Sequence, residues 1–288
     1  MLTVRHDEAM SKPATTASKG DVRTLIVMYD GSQVAAGVLP LVHQLVGRTG
    51  ADVRLITSTL DGTGATPVQL AEAESELAGL AVERVVVDDR PAAEAAVDLA
   101  SRTDGGLLCL STHGRSGIGR AVLGSVADGV IRSGRVPVLV VGPNCDTDAL
   151  DRPGPVALCI DGSARSDRVL DEGIHWARLL DRDVRMILVS SPFDGATRQA
   201  STDMFSRLEQ GHPSPDVQVS GYDAVNGSVA WGLVTEADRV KAPLIVISPT
   251  GRTGWERLLA GSATLALLRS ATCPVLVLAS GSAPGAAT

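Results

Sequence analysis

One constellation occurs twice in this chain at a fixed spacing, and it restricts the fold more than any other feature. Ser111-Thr112-His113-Gly114 is followed after nine residues by Gly124-Ser125, and Ser248-Pro249-Thr250-Gly251 after nine residues by Gly261-Ser262. Sliding residues 111–142 by 137 positions onto 248–279 leaves 13 of 32 positions identical. The identities gather on Gly114/Gly251, Arg115/Arg252, Gly117/Gly254, Gly124/Gly261, Ser125/Ser262 and a Pro-Val-Leu-Val tetrad at Pro137–Val140 and Pro274–Val277. A second motif opens each half: Asp30-Gly31-Ser32 after the apolar run Thr24–Tyr29, and Asp161-Gly162-Ser163 after Val156–Ile160. Two ordered motifs at matching places mean two copies of one domain.

The periodicity says which kind of domain. Apolar runs at Thr24–Tyr29, Val53–Ser58, Val82–Val87, Leu107–Ser111 and Val136–Val141 read as strands. Between them lie helical patterns over Ser32–Thr49 (Val34, Val38, Leu41, Leu45 and Val46 on one face), Val68–Leu80, Ala92–Arg102 and Ser125–Ser133. The second half repeats the order. Strands are expected at Val156–Ile160, Val184–Val189, Val217–Tyr222, Leu244–Ser248 and Val275–Leu278, with helices over Ser166–Leu180, Met204–Glu209, Ser228–Arg239 and Ser262–Arg269. Alternation of this kind predicts right-handed β-α-β units and a mainly parallel five-stranded sheet in each half. Aromatics are only 2% of 288 residues, so Val, Leu, Ile and Ala must build the cores, as suits parallel strands covered on both faces. The expected organisation is a polar tail over 1–20, domains over 21–142 and 155–279, a Pro/Gly/Asp-rich linker over 143–154 and a small-residue tail over 280–288.

Composition narrows the function classes. A net charge of −7 argues against a broad nucleic-acid or membrane footprint. No apolar run approaches the roughly 18 residues a membrane helix needs, and the start lacks a signal-peptide core, so a cytoplasmic protein is expected. Cys109, Cys145, Cys159 and Cys273 form no Cys-x-x-Cys pair; buried apolar roles are expected for all but Cys145, which the linker would leave exposed and reactive.

The loops carry the chemistry. In open parallel sheets ligands bind beyond the carboxyl ends of strands, where strand order reverses, and Asp30, Ser58, Ser111, Asp161, Val189 and Ser248 all fall at such ends. Glycines at 114, 117 and 124 permit positive φ and close backbone approach. A helix starting at Ser125, with Asp128 as a capping-box partner, offers free N–H groups and partial positive charge to a phosphate. Arg115 and Arg252 would add a planar cation. The plain alternative for each loop is a tight turn and helix cap without ligand. Two better-known loops are excluded: Gly119-x4-Gly124-Ser125 has Leu123 where a P-loop carries lysine, and no Gly-x-Gly-x-x-Gly follows either first strand.

These residues resemble the universal stress proteins in their tandem form, over roughly 20–142 and 154–279. That family's signature is Gly, two residues, Gly, nine residues, Gly, then Ser or Thr, after a strand-terminal Asp-Gly-Ser. The resemblance implies two flavodoxin-like or Rossmann-like sandwiches of the adenine nucleotide alpha hydrolase-like type, binding ATP (with Mg2+ as counter-ion) for regulation or sensing. By position, Asp30-Gly31 and Asp161-Gly162 would meet the adenine, and Ser58 and Val189 would be the base-packing positions. Ser111, Gly114, Arg115, Gly124, Ser125 and Val126 would hold ribose and phosphates in the first half, and Ser248, Gly251, Arg252, Gly261, Ser262 and Ala263 in the second. It also implies that the Pro-Val-Leu-Val strands, otherwise apolar sheet edges, pair domain against domain, with a further homodimer compatible. The chain departs from the pattern at Ser111 and Ser248, each in place of the first signature glycine, at Pro249, which removes a donor, and at Ser58, which is polar. Outside these loops, His113 is Thr250 in the second copy, Glu72, Glu74 and Glu76 read as a solvated helix face, and His175 and Trp176 as the buried face of a helix. Catalytic residues are not expected. A slow ATPase or phosphotransferase and a nucleotide-independent scaffold are the alternatives.

Overall fold

The strands form where the apolar runs are, and their register repeats between the halves. A computed structural model describes residues 22–60, 64–112, 123–163, 165–190, 198–248 and 262–280, with backbone alone at 198, 199, 262 and 263. The first half runs β1 (Thr24–Met28), α1 (Gln33–Ala36), α2 (Leu39–Thr49), β2 (Asp52–Ser58), α3 (Pro67–Glu76), β3 (Val82–Val87), α4 (Ala92–Arg102), β4 (Gly106–Ser111), α5 (Ser125–Ser133) and β5 (Val138–Val141). The second runs β6 (Val156–Ile160), α6 (Arg165–Leu180), β7 (Val184–Ser190), α7 (Arg198–Gly211), β8 (Val219–Val225), α8 (Val229–Arg239), β9 (Ile245–Ile247), α9 (Ser262–Ser270) and β10 (Val275–Val277). Together they make one ten-stranded sheet in the order β3-β2-β1-β4-β5-β10-β9-β6-β7-β8. Each half is thus a five-stranded parallel sheet whose order reverses between β1 and β4, or between β6 and β9.

The two tetrads join the halves. β5 and β10 pair antiparallel, with Val138 opposite Val277, Leu139 opposite Leu276 and Val140 opposite Val275. A shift of 137 residues maps this ladder onto itself, so a local two-fold axis passes through the Leu139–Leu276 pair. Both apolar edges are covered by this pairing, as an exposed edge of this composition would require. Antiparallel joining also turns the strand ends about: the carboxyl ends of β1 and β4 lie at the opposite sheet edge from those of β6 and β9.

Both faces are packed across the join. Leu25, Leu41, Leu55, Leu158, Leu170 and Trp176 belong to one continuous cluster under α1–α3, α6 and α7. Ile26, Val97, Leu108, Ile131, Leu233 and Leu268 belong to the other, under α4, α5, α8 and α9. The helices bury one stripe each, as amphipathic covers of a sheet do.

Several elements differ from the sequence reading. The predicted helix over Ser32–Thr49 is two helices with a break at Gly37–Val38, because Pro40 lacks an N–H and its ring fits only a first helical turn. Val34 is consequently 43% exposed rather than on the buried face, whereas Val38, Leu41 and Leu45 are buried. In α3 the capping box of Thr66 and Gln69 sets the start, and the buried stripe is Leu70 and Ala73 with Leu77 beyond its end, leaving Val68 67% exposed. β8 begins two residues later than expected, since its ladder with β7 starts at Val184 opposite Val219. The segment read as a linker is docked: it holds a 3-10 turn at Ala149–Asp151 with Leu150 fully buried. Arg48 of α2 donates to the Leu150 carbonyl and to Asp151, while Arg152 donates to Thr272 on the far side. Cys145 is half-buried rather than exposed, and burial pushes its thiol up to about 12, which disfavours the reactive thiolate. Cys109, Cys159 and Cys273 are buried and their thiols shifted upward by that burial. Trp176 is buried as expected, but His175 is only half-buried and its Nε2 has no hydrogen-bond partner among the described residues.

Candidate functional site

Each half ends its first strand in the same turn. In the first, Asp30 Oδ1 accepts from Ser32 N at 2.9 Å, and Ser32 Oγ caps α1 by accepting from Ala35 N at 3.1 Å. In the second, Asp161 Oδ1 accepts from Ser163 N at 3.0 Å and from Ser166 Oγ at 3.3 Å. These are Asx turns, the local use of such a carboxylate that sequence alone would favour. The glycine between has positive φ in both, +81° at Gly31 and +74° at Gly162. A side chain closes over each glycine: a Cβ on Gly31 would lie 2.5 Å from Gln69 Cδ, and one on Gly162 would lie 2.7 Å from Met204 Sδ. Gln69 is held there by donating to the Gly31 carbonyl at 2.8 Å and accepting from Thr66 N at 2.9 Å.

Beside each turn stands the end of the neighbouring strand. The β1–β2 ladder pairs Leu25 with Val53, and the β6–β7 ladder pairs Val156 with Val184. The shift of 131 residues that carries Asp30 onto Asp161 therefore carries Ser58 onto Val189. Ser58 Oγ donates to the Arg90 carbonyl at 3.0 Å. Val189 is half-buried and packs on α8, where a Cβ on Gly232 would lie 2.7 Å from its Cγ1.

Across the order reversal stand Ser111, which ends β4, and Ser248, half-buried just after β9. Ser111 Oγ is buried with no hydrogen-bond partner among the described residues, and a Cβ on Gly37 would lie 3.9 Å from it. The first loop is closed at its base: Thr112 N donates to the Val141 carbonyl at 3.0 Å, and Gly124 N to the Thr112 carbonyl at 2.7 Å. Gly124 is the N-cap of α5, and Ser125 is exposed with Val126 half-buried beside it. The expected capping box does not form, because Asp128 accepts instead from Arg132 Nε at 2.6 Å one turn on. Ser262 and Ala263 open α9 at the equivalent place. Gly114, Arg115, Gly251, Arg252 and Gly261 lie outside the described residues.

The structure therefore brings Asp30, Gly31, Ser58, Ser111, Gly124 and Ser125 to one sheet edge, and Asp161, Gly162, Val189 and Ser248 with the start of α9 to the other. Sequence reasoning missed Gln69, Met204 and Ser166. They lie on helices, outside the repeated motifs, and the capping pattern Thr66-x-x-Gln69 was the only local signal. A cleft of about 980 Å³ lies elsewhere, against the amino ends of β6–β8, lined by Arg182, Arg185, His212 and Asp216 among others. It belongs to one half and to the end of the strands away from the repeated turns, so the repeat rather than this cleft marks the candidate site. Among the described residues no group of three or more His, Cys, Asp or Glu is arranged to hold a metal, and no helix is long and apolar enough to cross a membrane.

Fold and turns define a class: paired parallel α/β domains joined along one strand, each with a glycine turn and a helix start at the carboxyl ends of its strands. The sequence profile of the universal stress protein family matches residues 58–142 and 154–279, the first match beginning after the Asp30 turn. The chain therefore belongs to the universal stress protein family, in its tandem form. A universal stress protein of Methanocaldococcus jannaschii is 32% identical over 137 residues, covering 43% of this chain and 80% of that one. One of Mycobacterium tuberculosis is 29% identical over 186 residues, covering 59% of this chain, which spans 61% of that relative's length. The crystal structure of a universal stress protein from Archaeoglobus fulgidus superposes with a TM-score of 0.63 over 89% of this chain and 96% of that one, at 17% identity. That likeness is one of fold.

Proposed function

We propose that this protein binds an adenine nucleotide, ATP with its magnesium, at the carboxyl edges of its sheets, as a regulatory or sensing ligand rather than a substrate. One observation carries the reading. The same left-handed glycine turn and the same helix start recur on either side of the strand-order reversal in both halves. A helix start with free N–H groups favours a phosphate, and a glycine turn lets a planar base approach the backbone. In this reading Asp30 and Asp161 are the candidate base contacts of the two halves. Ser111, Gly114, Arg115, Gly124, Ser125 and Val126 surround ribose and phosphates in the first half. Ser248, Gly251, Arg252, Gly261, Ser262 and Ala263 do so in the second.

The test is direct. Small molecules released from denatured, freshly purified protein are identified by mass spectrometry, and stripped protein is titrated with ATP and magnesium by calorimetry. Adenine nucleotide is expected, with affinity falling about tenfold or more in Gly261→Ala, if the repeated glycine before the helix serves to let a phosphate approach the backbone. No binding up to millimolar ATP would overturn the reading.

A further inference from the structure

The two strand-end turns are alike in backbone and opposite in lining. Asp161-Gly162 is flanked on the α8 face of the sheet by Val189 and on the α7 face by Met204. Asp30-Gly31 is flanked at the equivalent positions by Ser58 and Gln69. The ladders make the first equivalence, and the second rests on contact: Gln69 and Met204 are the side chains nearest the two turn glycines, at 2.5 and 2.7 Å from the built Cβ.

Resting on the nucleotide reading above, we infer that the halves have diverged in ligand, and that only the second takes an aromatic base. A purine needs apolar contact on its faces, and a thioether beside an aromatic ring is a favourable neighbour. Val189 and Met204 offer this on both sides of the turn. In the first half the flanking groups are polar and already engaged. Ser58 donates to the Arg90 carbonyl, while Gln69 spans the Gly31 carbonyl and the Thr66 amide. A base placed there would desolvate these groups without offering new partners, which disfavours it.

The experiment titrates stripped full-length protein with ATP and magnesium, and separately with adenosine, counting equivalents by calorimetry. Methyl-labelled methionine spectra locate the base through Met204. One equivalent of ATP per chain is expected, with the Met204 methyl shifted by both ATP and adenosine. Val189→Ser with Met204→Gln should weaken ATP about tenfold, the scale of losing a stacking contact. The reciprocal pair, Ser58→Val with Gln69→Met, should add a second equivalent. That gain cannot come from misfolding. Two equal sites in the unaltered chain would overturn the divergence while leaving the nucleotide reading intact. A single site indifferent to Val189→Ser with Met204→Gln would place the base in the first half and overturn it too. No ATP binding at any concentration would overturn both readings together.

Discussion

Gly162 shows how much one residue type decides here. At φ +74° it lies in the left-handed region, and Met204 occupies the space a Cβ would take. Gly162→Ala should therefore lower stability by about 1–3 kcal/mol, read as a lower urea midpoint with unchanged slope. His212 adds a dependence on pH. Its Nδ1 faces Asp171 at 2.6 Å and its Nε2 faces Asp167 at 3.1 Å, so both ring nitrogens act as donors only in the imidazolium. Arg207 shares Asp167 at 3.7 Å. Burial alone would lower the pKa of His212, but the two carboxylates outweigh it and the value is raised. A raised folded-state value means the stabilisation is fully present below the ordinary histidine range and fades as pH climbs through the folded value. The destabilisation caused by His212→Gln should thus be larger at pH 6 than at pH 8, by on the order of 1 kcal/mol given the exposure of Asp171. Equal losses at both pH values would mean that the imidazolium pair contributes nothing.

At the scale of elements, the pairing of β5 with β10 depends on a short ladder of Val and Leu. Leu139 and Leu276 face each other at its centre and are fully buried. Leu139→Ala should cost about 2–5 kcal/mol, since the fixed ladder on both sides leaves little room to collapse. Calorimetric melting would show it, and a loss under 1 kcal/mol would mean the halves hold together without this contact. The same elements show what the sequence could reveal. A strand with an unbroken apolar run, such as Val156–Ile160, was legible residue for residue because burial on both faces demands that composition. β8 is an edge strand whose Ser220, Gly221 and Asp223 break the run, so its register comes from β7 and cannot be read locally. The break at Pro40 was written in the sequence, but the stronger helical period hid it. At the candidate site, the repeated Asp-Gly-Ser turns and glycine loops could be read because they recur. Gln69 and Met204 could not, since tertiary packing alone brings α3 and α7 over the turns.

At the scale of the whole molecule, one sheet and two continuous cores make the halves a single folding unit rather than two beads. The docked segment through Leu150 reinforces this by touching both. The reversal of strand direction at β5–β10 sets the two turns at opposite edges of the sheet. Were the two halves separate identical chains paired in this way, every substitution would appear twice. Fused into one polypeptide, the copies are encoded separately. Each can change while its twin keeps the shared seam intact, and a pseudo-symmetric body can carry two unlike specificities.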